Sequence, residues 1–159
     1  MSHTTIDQNQ NVVRAVPILI SFLIAGFIGL FSETALNMAL GNLMQEFDVV
    51  SSTVQWITTG YLLTMGILIP VTALLIQWLT TRQLFITSVL FSIAGVVLSG
   101  MAPTFNVLLL GRIVQAIGTG LLIPLMFHTV LIIFPIEKRG LIMGAVGLVM
   151  MSAPAVGPA

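Results

Sequence analysis

The sequence predicts an all-α, multi-pass membrane protein, a bundle of about five transmembrane helices, on three observations. The 159 residues are 57% hydrophobic and only 6% charged, whereas a soluble domain carries roughly 25% charged residues. The few charges leave long uncharged stretches at residues 15–32, 49–81, 83–111, 113–136 and 140–159. Each approaches or exceeds the ~20 residues that cross a hydrocarbon core of ~30 Å as a helix. Barrel strands would be about half as long and would alternate in polarity, so helices are the only fit.

In chain order, residues 1–13 are polar and are expected to form a disordered cytoplasmic N-terminus, followed by a membrane domain over 14–159. The start lacks a basic n-region and a small-residue cleavage site, so the first apolar stretch is expected to stay as an uncleaved anchor. Span 1 is expected over about 15–40, with Glu33 near its far end. Span 2 covers about 54–79 and contains Pro70, which membrane helices tolerate when neighbours satisfy the freed carbonyl. Span 3 covers about 84–100 and stops at the turn signal Ala102-Pro103-Thr104-Phe105-Asn106. Span 4 covers about 107–134, with a kink expected at Pro124. Span 5 covers about 140–159 and is still apolar at Ala159.

Lys and Arg set the direction of these spans. Arg14, Arg82 and Lys138-Arg139 lie before span 1, between spans 2 and 3, and between spans 4 and 5, while the other two connections have neither residue type. The positive-inside rule therefore places the N-terminus in the cytoplasm, with Glu46, Asp48 and the Pro103 loop outside. With no cysteine, disulfides and thiolate metal sites are excluded, and His3 and His128 are too far apart and too poor in nearby carboxylates to suggest zinc. So few basic residues give phosphate or nucleic-acid binding no basis. Neither a Ser-His-Asp set nor a phosphate-binding glycine loop occurs, and no enzymatic activity is expected.

Arg112 is the only formally charged residue between Gln83 and Ile136. A guanidinium keeps its proton, so an arginine inside an apolar helix must meet a partner, a polar cavity or the interface. Gln115 and Thr119 share its helical face. In span 1, Gly26, Gly29, Glu33 and Asn37 follow at steps of three, four and four, which places them on one face. Arg112 lies roughly 8 Å and Glu33 roughly 10 Å in from the outer ends of their helices. Similar depth makes Glu33 and Arg112 candidates to face each other or share a wet cavity. Burial and a neighbouring guanidinium act on a carboxyl's proton affinity in opposite senses, so a substrate that altered their balance would make Glu33 a binding-linked proton site. The structural alternatives are that span 1 ends early and leaves Glu33 wet, and that Arg112 snorkels to the outer interface or caps carbonyls.

In span 2, Thr58, Tyr61, Thr64 and Thr72 form a weakly polar stripe. Such stripes more often glue helices than line a substrate path, and Tyr61 is kept only as a possible substrate contact. Trp56 and Trp78 suit interfacial anchors. In span 5, Gly140, Gly144, Gly147, Met151, Pro154 and Pro158 form one stripe, whose low helical propensity calls for a closely packed partner.

With these residues in place, the chain resembles the N-terminal part of a major facilitator superfamily transporter, in particular the fourteen-span drug:proton antiporters. Arg112-Ile113-Val114-Gln115-Ala116-Ile117-Gly118-Thr119-Gly120 is similar to that family's span 4 motif, whose arginine the resemblance associates with proton coupling. Gly144, Ala153, Gly157 and Pro158 match the spacing of its span 5 antiporter motif, with Ala153 in a usual glycine position. Leu36-Asn37-Met38-Ala39-Leu40-Gly41 resembles an Asn-x-Ala-Leu-Pro signature with Gly41 for the proline, and Ser32-Glu33-Thr34-Ala35-Leu36-Asn37 resembles the lincomycin-exporter branch. The loop Leu75-Ile76-Gln77-Trp78-Leu79-Thr80-Thr81-Arg82 departs from the family, with Gln77 where an Asp is usual.

The resemblance implies a secondary exporter in a bacterial plasma membrane that moves amphipathic small molecules against protons, with no cofactor beyond the proton gradient. Together with the helix faces read above, Glu33 and Arg112 are the proton-coupling candidates, Asn37, Tyr61 and Gln115 the cavity or substrate candidates, and Gly118, Gly120, Gly144, Ala153, Gly157 and Pro158 the structural motif positions. It further implies a fragment cut inside span 5, whose partners include missing C-terminal helices, because alternating access needs two halves about a midplane site. A small-solute or metabolite transporter of the same fold, and a truncated non-transporting membrane protein, are the competing expectations.

Overall fold

The computed structural model describes residues 3–156, with side chains for residues 17–155. The described residues form α1 (His3–Glu46), a single turn α2 (Ser51–Val54), α3 (Trp56–Trp78), α4 (Thr81–Gly100), α5 (Phe105–Ile133) and α6 (Ile136–Val156). Four segments, Pro17–Glu46, Ser51–Trp78, Thr81–Gly100 and Phe105–Ile133, are long and apolar enough to cross a membrane.

The boundaries differ from the expected ones mainly at helix ends. α1 already includes backbone from His3, within the stretch expected to be disordered, and runs on to Glu46. Extending an existing helix adds one hydrogen bond per residue fixed, so polar residues join it at little cost. Its end is closed by Asp48 at φ 49° and by the Val49 amide donating to the Met44 carbonyl at 3.1 Å, a left-handed cap of the kind aspartate tolerates. Glu33 is therefore well inside a continuous helix, not at its outer end. α6 starts at Ile136, with Glu137 in its first turn, where a carboxylate opposes the helix dipole favourably. Arg139 Nε donates to the Phe134 carbonyl at 2.9 Å, capping the end of α5.

α5 is the hub. Fourteen of its 29 residues are buried, against four of 23 in α3 and three of 20 in α4. It packs along α4 on one side and α3 on the other, while α1 touches both α5 and α6. Small residues make these approaches possible. A Cβ on Gly111 would meet Ser99 and the Gly95 carbonyl, one on Gly118 would meet Ser92 and the Ser88 carbonyl, and one on Gly95 would meet the Gln115 backbone. Ser88, Ser92, Gly95 and Ser99 thus form the α4 face that receives the α5 glycines. Gly120 points the other way, with the Leu68 side chain 3.0 Å and the Met65 Cα 3.3 Å from where its Cβ would stand.

Two apolar clusters close the bundle. Phe22, Leu84, Leu122, Leu125, Met126 and Val146 join α1, α4, α5 and α6. Val54, Ile57 and Leu108, backed by Leu36, Leu40 and Phe47, close the other end. Trp56 and Trp78 are exposed at the two ends of α3, as interfacial anchors would be.

The closely packed span 5 face is not realised among the described residues. Nothing lies within 4 Å of a Cβ at Gly140, Gly144 or Gly147. α6 meets α1 through its other face instead, with Val146 and Ala153 buried and Met150 lying where a Gly26 Cβ would be. Gly157 and Pro158 fall outside the described residues.

Candidate functional site: a buried arginine network between two apolar caps

Along α5, Arg112, Gln115 and Thr119 lie between Leu108 of one apolar cluster and Leu122 of the other. Helical spacing puts all three on one face, and all three are buried, with Arg112 only 2% exposed. Arg112 does not snorkel to the interface.

Its partners are an amide and an aromatic ring. Arg112 Nη1 donates to Gln115 Oε1 at 2.7 Å, and the guanidinium carbon sits 4.5 Å from the centroid of the Tyr61 ring. A cation over an aromatic face within ~6 Å is attracted by the ring quadrupole, most strongly where water is excluded. Arg112 Nε has no hydrogen-bond partner, an unusual state for a buried charged group. Gln115 Nε2 then donates to Ser32 Oγ at 3.1 Å, carrying the network from α5 to α1. The Tyr61 hydroxyl donates to Thr119 Oγ1 at 3.0 Å, and Thr119 donates to the Gln115 carbonyl at 3.3 Å. α1, α3 and α5 therefore meet through one polar cluster.

Glu33 follows Ser32 directly and is partly buried. It and Arg112 are near enough for each charge to act on the other, yet the guanidinium's hydrogen bond goes to Gln115. The expected pair thus lies on neighbouring helices with no direct ion pair among the described residues, and the hydrogen-bonded chain from Arg112 ends at Ser32, the residue before Glu33.

The span 1 stripe does face protein. Gly26 abuts Met150 and Leu122, and Gly29 abuts Thr119, whose Oγ1 is 3.3 Å from a Cβ there. Asn37, exposed at the far end of the stripe, accepts from Thr58 Oγ1 at 2.6 Å. Tyr61 is completely buried and acts as a bridge between α3 and α5, as the glue reading of its stripe expects.

Sequence reasoning missed two participants. Ser32 had no distinguishing neighbour spacing. The role of Thr72 was concealed because its partner is a backbone carbonyl: Thr72 Oγ1, bonded to the Leu68 carbonyl at 2.7 Å, also lies 3.2 Å from the Gly120 carbonyl. Gly120 is four residues before Pro124, whose missing N–H leaves that carbonyl without its helical donor. The α3 threonine shares its one hydroxyl proton between the nearer Leu68 carbonyl and this freed carbonyl, a partial replacement for the donor that a membrane proline removes. Thr72→Val should cost about 0.5–1.5 kcal/mol in detergent unfolding. The loss should shrink when Pro124→Ala restores the donor; equal losses in both backgrounds would refute the assignment.

The sequence matches the Major Facilitator Superfamily over residues 22–159. It is 66% identical over 146 residues to the "Lincomycin resistance protein LmrB" of Listeria monocytogenes, covering 92% of this chain and 31% of that protein. The Bacillus subtilis protein of the same name is 63% identical over 145 residues, covering 91% of this chain and 30% of that protein. "Multidrug resistance protein 3" of Bacillus subtilis is 27% identical over 161 residues, covering 99% of this chain and 30% of that protein. The chain thus spans about three-tenths of the length of these relatives.

Proposed function

Because the chain belongs to the Major Facilitator Superfamily, we propose that it acts as part of a proton-coupled exporter of amphipathic drugs in a bacterial plasma membrane, as a transporter and not as an enzyme. Lincomycin is the first substrate to test, since relatives at 66% and 63% identity are named for resistance to it. The energy source is the proton gradient, and Glu33 and Arg112 are its coupling residues. Asn37 and Gln115 are the residues to test as substrate contacts, while Tyr61 holds the arginine.

The observation that carries this reading is the chain from Arg112 through Gln115 to Ser32, adjacent to Glu33. It brings the hydrogen-bonded chain of the α5 cation to the residue that precedes the α1 carboxyl. A substrate that displaces Gln115 or Ser32 changes the field at Glu33 and hence its proton occupancy. Burying a cation with an amide and a ring for company costs stability, and a coupling role gives that cost a use.

The test is drug-driven proton release in inverted vesicles carrying the product of the encoding gene. Wild type should release protons on lincomycin addition, and Glu33→Gln should reduce release and resistance to the vector background. Undiminished release from Glu33→Gln would remove Glu33 from the mechanism, and no lincomycin response in wild type would remove lincomycin as substrate.

A further inference from the structure

A cavity of about 400 Å³ lies away from the arginine network, between the starts of the α1 and α4 spans and the end of α5. Phe22 and Phe85 meet edge to face at its floor, with ring centroids 4.7 Å apart. Ile18, Ile132 and Ile133 complete an almost wholly apolar wall. Two of its polar residues are already engaged: Ser21 donates to the Pro17 carbonyl at 2.9 Å and Thr129 to the Leu125 carbonyl at 2.7 Å. Thr81 and Arg82, at the α4 end, have no such engagement among the described residues, and Arg82 is exposed.

We propose that this groove binds an anionic phospholipid, its upper acyl chain against Phe22 and Phe85 and its phosphate on Arg82 with the Thr81 hydroxyl beside it. The chemistry of the lining selects this occupant. An apolar trough with, among the described residues, one cation and one free hydroxyl at its rim matches an amphiphile with an anionic head. A neutral or cationic solute would find no polar group to orient it deeper in the groove. The location agrees, since Arg82 and the Lys138-Arg139 pair mark the side that the positive-inside rule makes cytoplasmic, where anionic headgroups attract juxtamembrane cations. The leaflet assignment rests on that orientation. The groove itself does not, and it shares no residue with Glu33, Gln115 or Arg112.

The test uses the whole chain in nanodiscs with phosphatidylglycerol or phosphatidylcholine bearing a diazirine high on one acyl chain. Photolabelling should map to α1 near Phe22, α4 near Phe85 and α5 near Ile132. Phosphatidylglycerol should be favoured by about fivefold, which corresponds to the ~1 kcal/mol that one arginine contributes beside an anionic headgroup. Arg82→Gln, a surface change that leaves packing intact, should bring the two lipids to parity, and Ile132→Trp should reduce labelling by both. Equal labelling by the two lipids in wild type, a preference that survives Arg82→Gln, labels elsewhere, or displacement by an amphipathic drug but not by added phosphatidylglycerol would each overturn the proposal. Modification of Arg82→Cys by a membrane-impermeant maleimide in oriented vesicles separates an inverted topology from failure of the site.

Discussion

Arg112→Met is expected to abolish the resistance conferred by the encoding gene while leaving the folded chain within about 2 kcal/mol of wild type. That bound comes from opposing effects of comparable size. Removing the guanidinium leaves Gln115 Oε1 without its donor, at about 1–3 kcal/mol, and loses a desolvated cation–π contact of about 2 kcal/mol over Tyr61. It also removes a buried charge whose desolvation penalty amounts to several kcal/mol, and methionine fills the space with a flexible apolar chain. No carboxylate loses a salt bridge, because the guanidinium's contacts are Gln115 and Tyr61. An arginine kept as a structural brace behaves differently: breaking a buried pair costs about 3–5 kcal/mol. Circular dichroism during thermal unfolding in detergent, beside inhibitory concentrations in cells, separates the two. A cooperative loss of fold in Arg112→Met, or retained resistance, would defeat the coupling role. Arg112→Lys should rescue resistance only in part, since a point charge replaces the planar fork that reaches Gln115 while lying over a ring.

How much of this could be read from the chain depended on whether side chains or backbone carried the contact. Arg112 stood out because it is the sole charge in a long apolar stretch, and its face with Gln115 and Thr119 followed from helical spacing. Similar depth in its helix placed Glu33 at the same level. Equal depth leaves helix rotation open by a side chain's width, and the guanidinium meets Gln115, which in turn meets Ser32. Ser88, Ser92, Gly95 and Ser99 repeat at steps of four, three and four, a small-residue pattern that marks close helix contact. That pattern lies wholly within span 3. The Thr72 contact with the Gly120 carbonyl left no side-chain pair to search for. The glycine face of α6 was legible as a pattern, but its partner is not among the described helices.

Gly118→Ala should destabilise the chain by about 1–3 kcal/mol, although alanine is the better helix former by about 1 kcal/mol. Gly66 provides the control. It lies within α3 with nothing inside 4 Å of its would-be Cβ, whereas at Gly118 the new methyl meets the Ser88 carbonyl and the Ser92 backbone nitrogen. Those are backbone atoms of a long helix and cannot turn aside as a side-chain tip can, so α4 and α5 must separate. Gly66→Ala should be neutral or stabilising, and Gly118→Leu should prevent folding altogether. If Gly118→Ala matched Gly66→Ala in detergent unfolding, the close α4–α5 approach would be wrong. The consequence reaches the site, because the Gln115 backbone packs directly on Gly95 one turn away. Moving α5 off α4 shifts Gln115 relative to Ser32, and a hydrogen bond at 3.1 Å does not survive a displacement of about 1 Å. Gly118→Ala should therefore lose resistance more steeply than its stability loss accounts for, which ties the glycine that sets helix spacing to the arginine that the spacing positions.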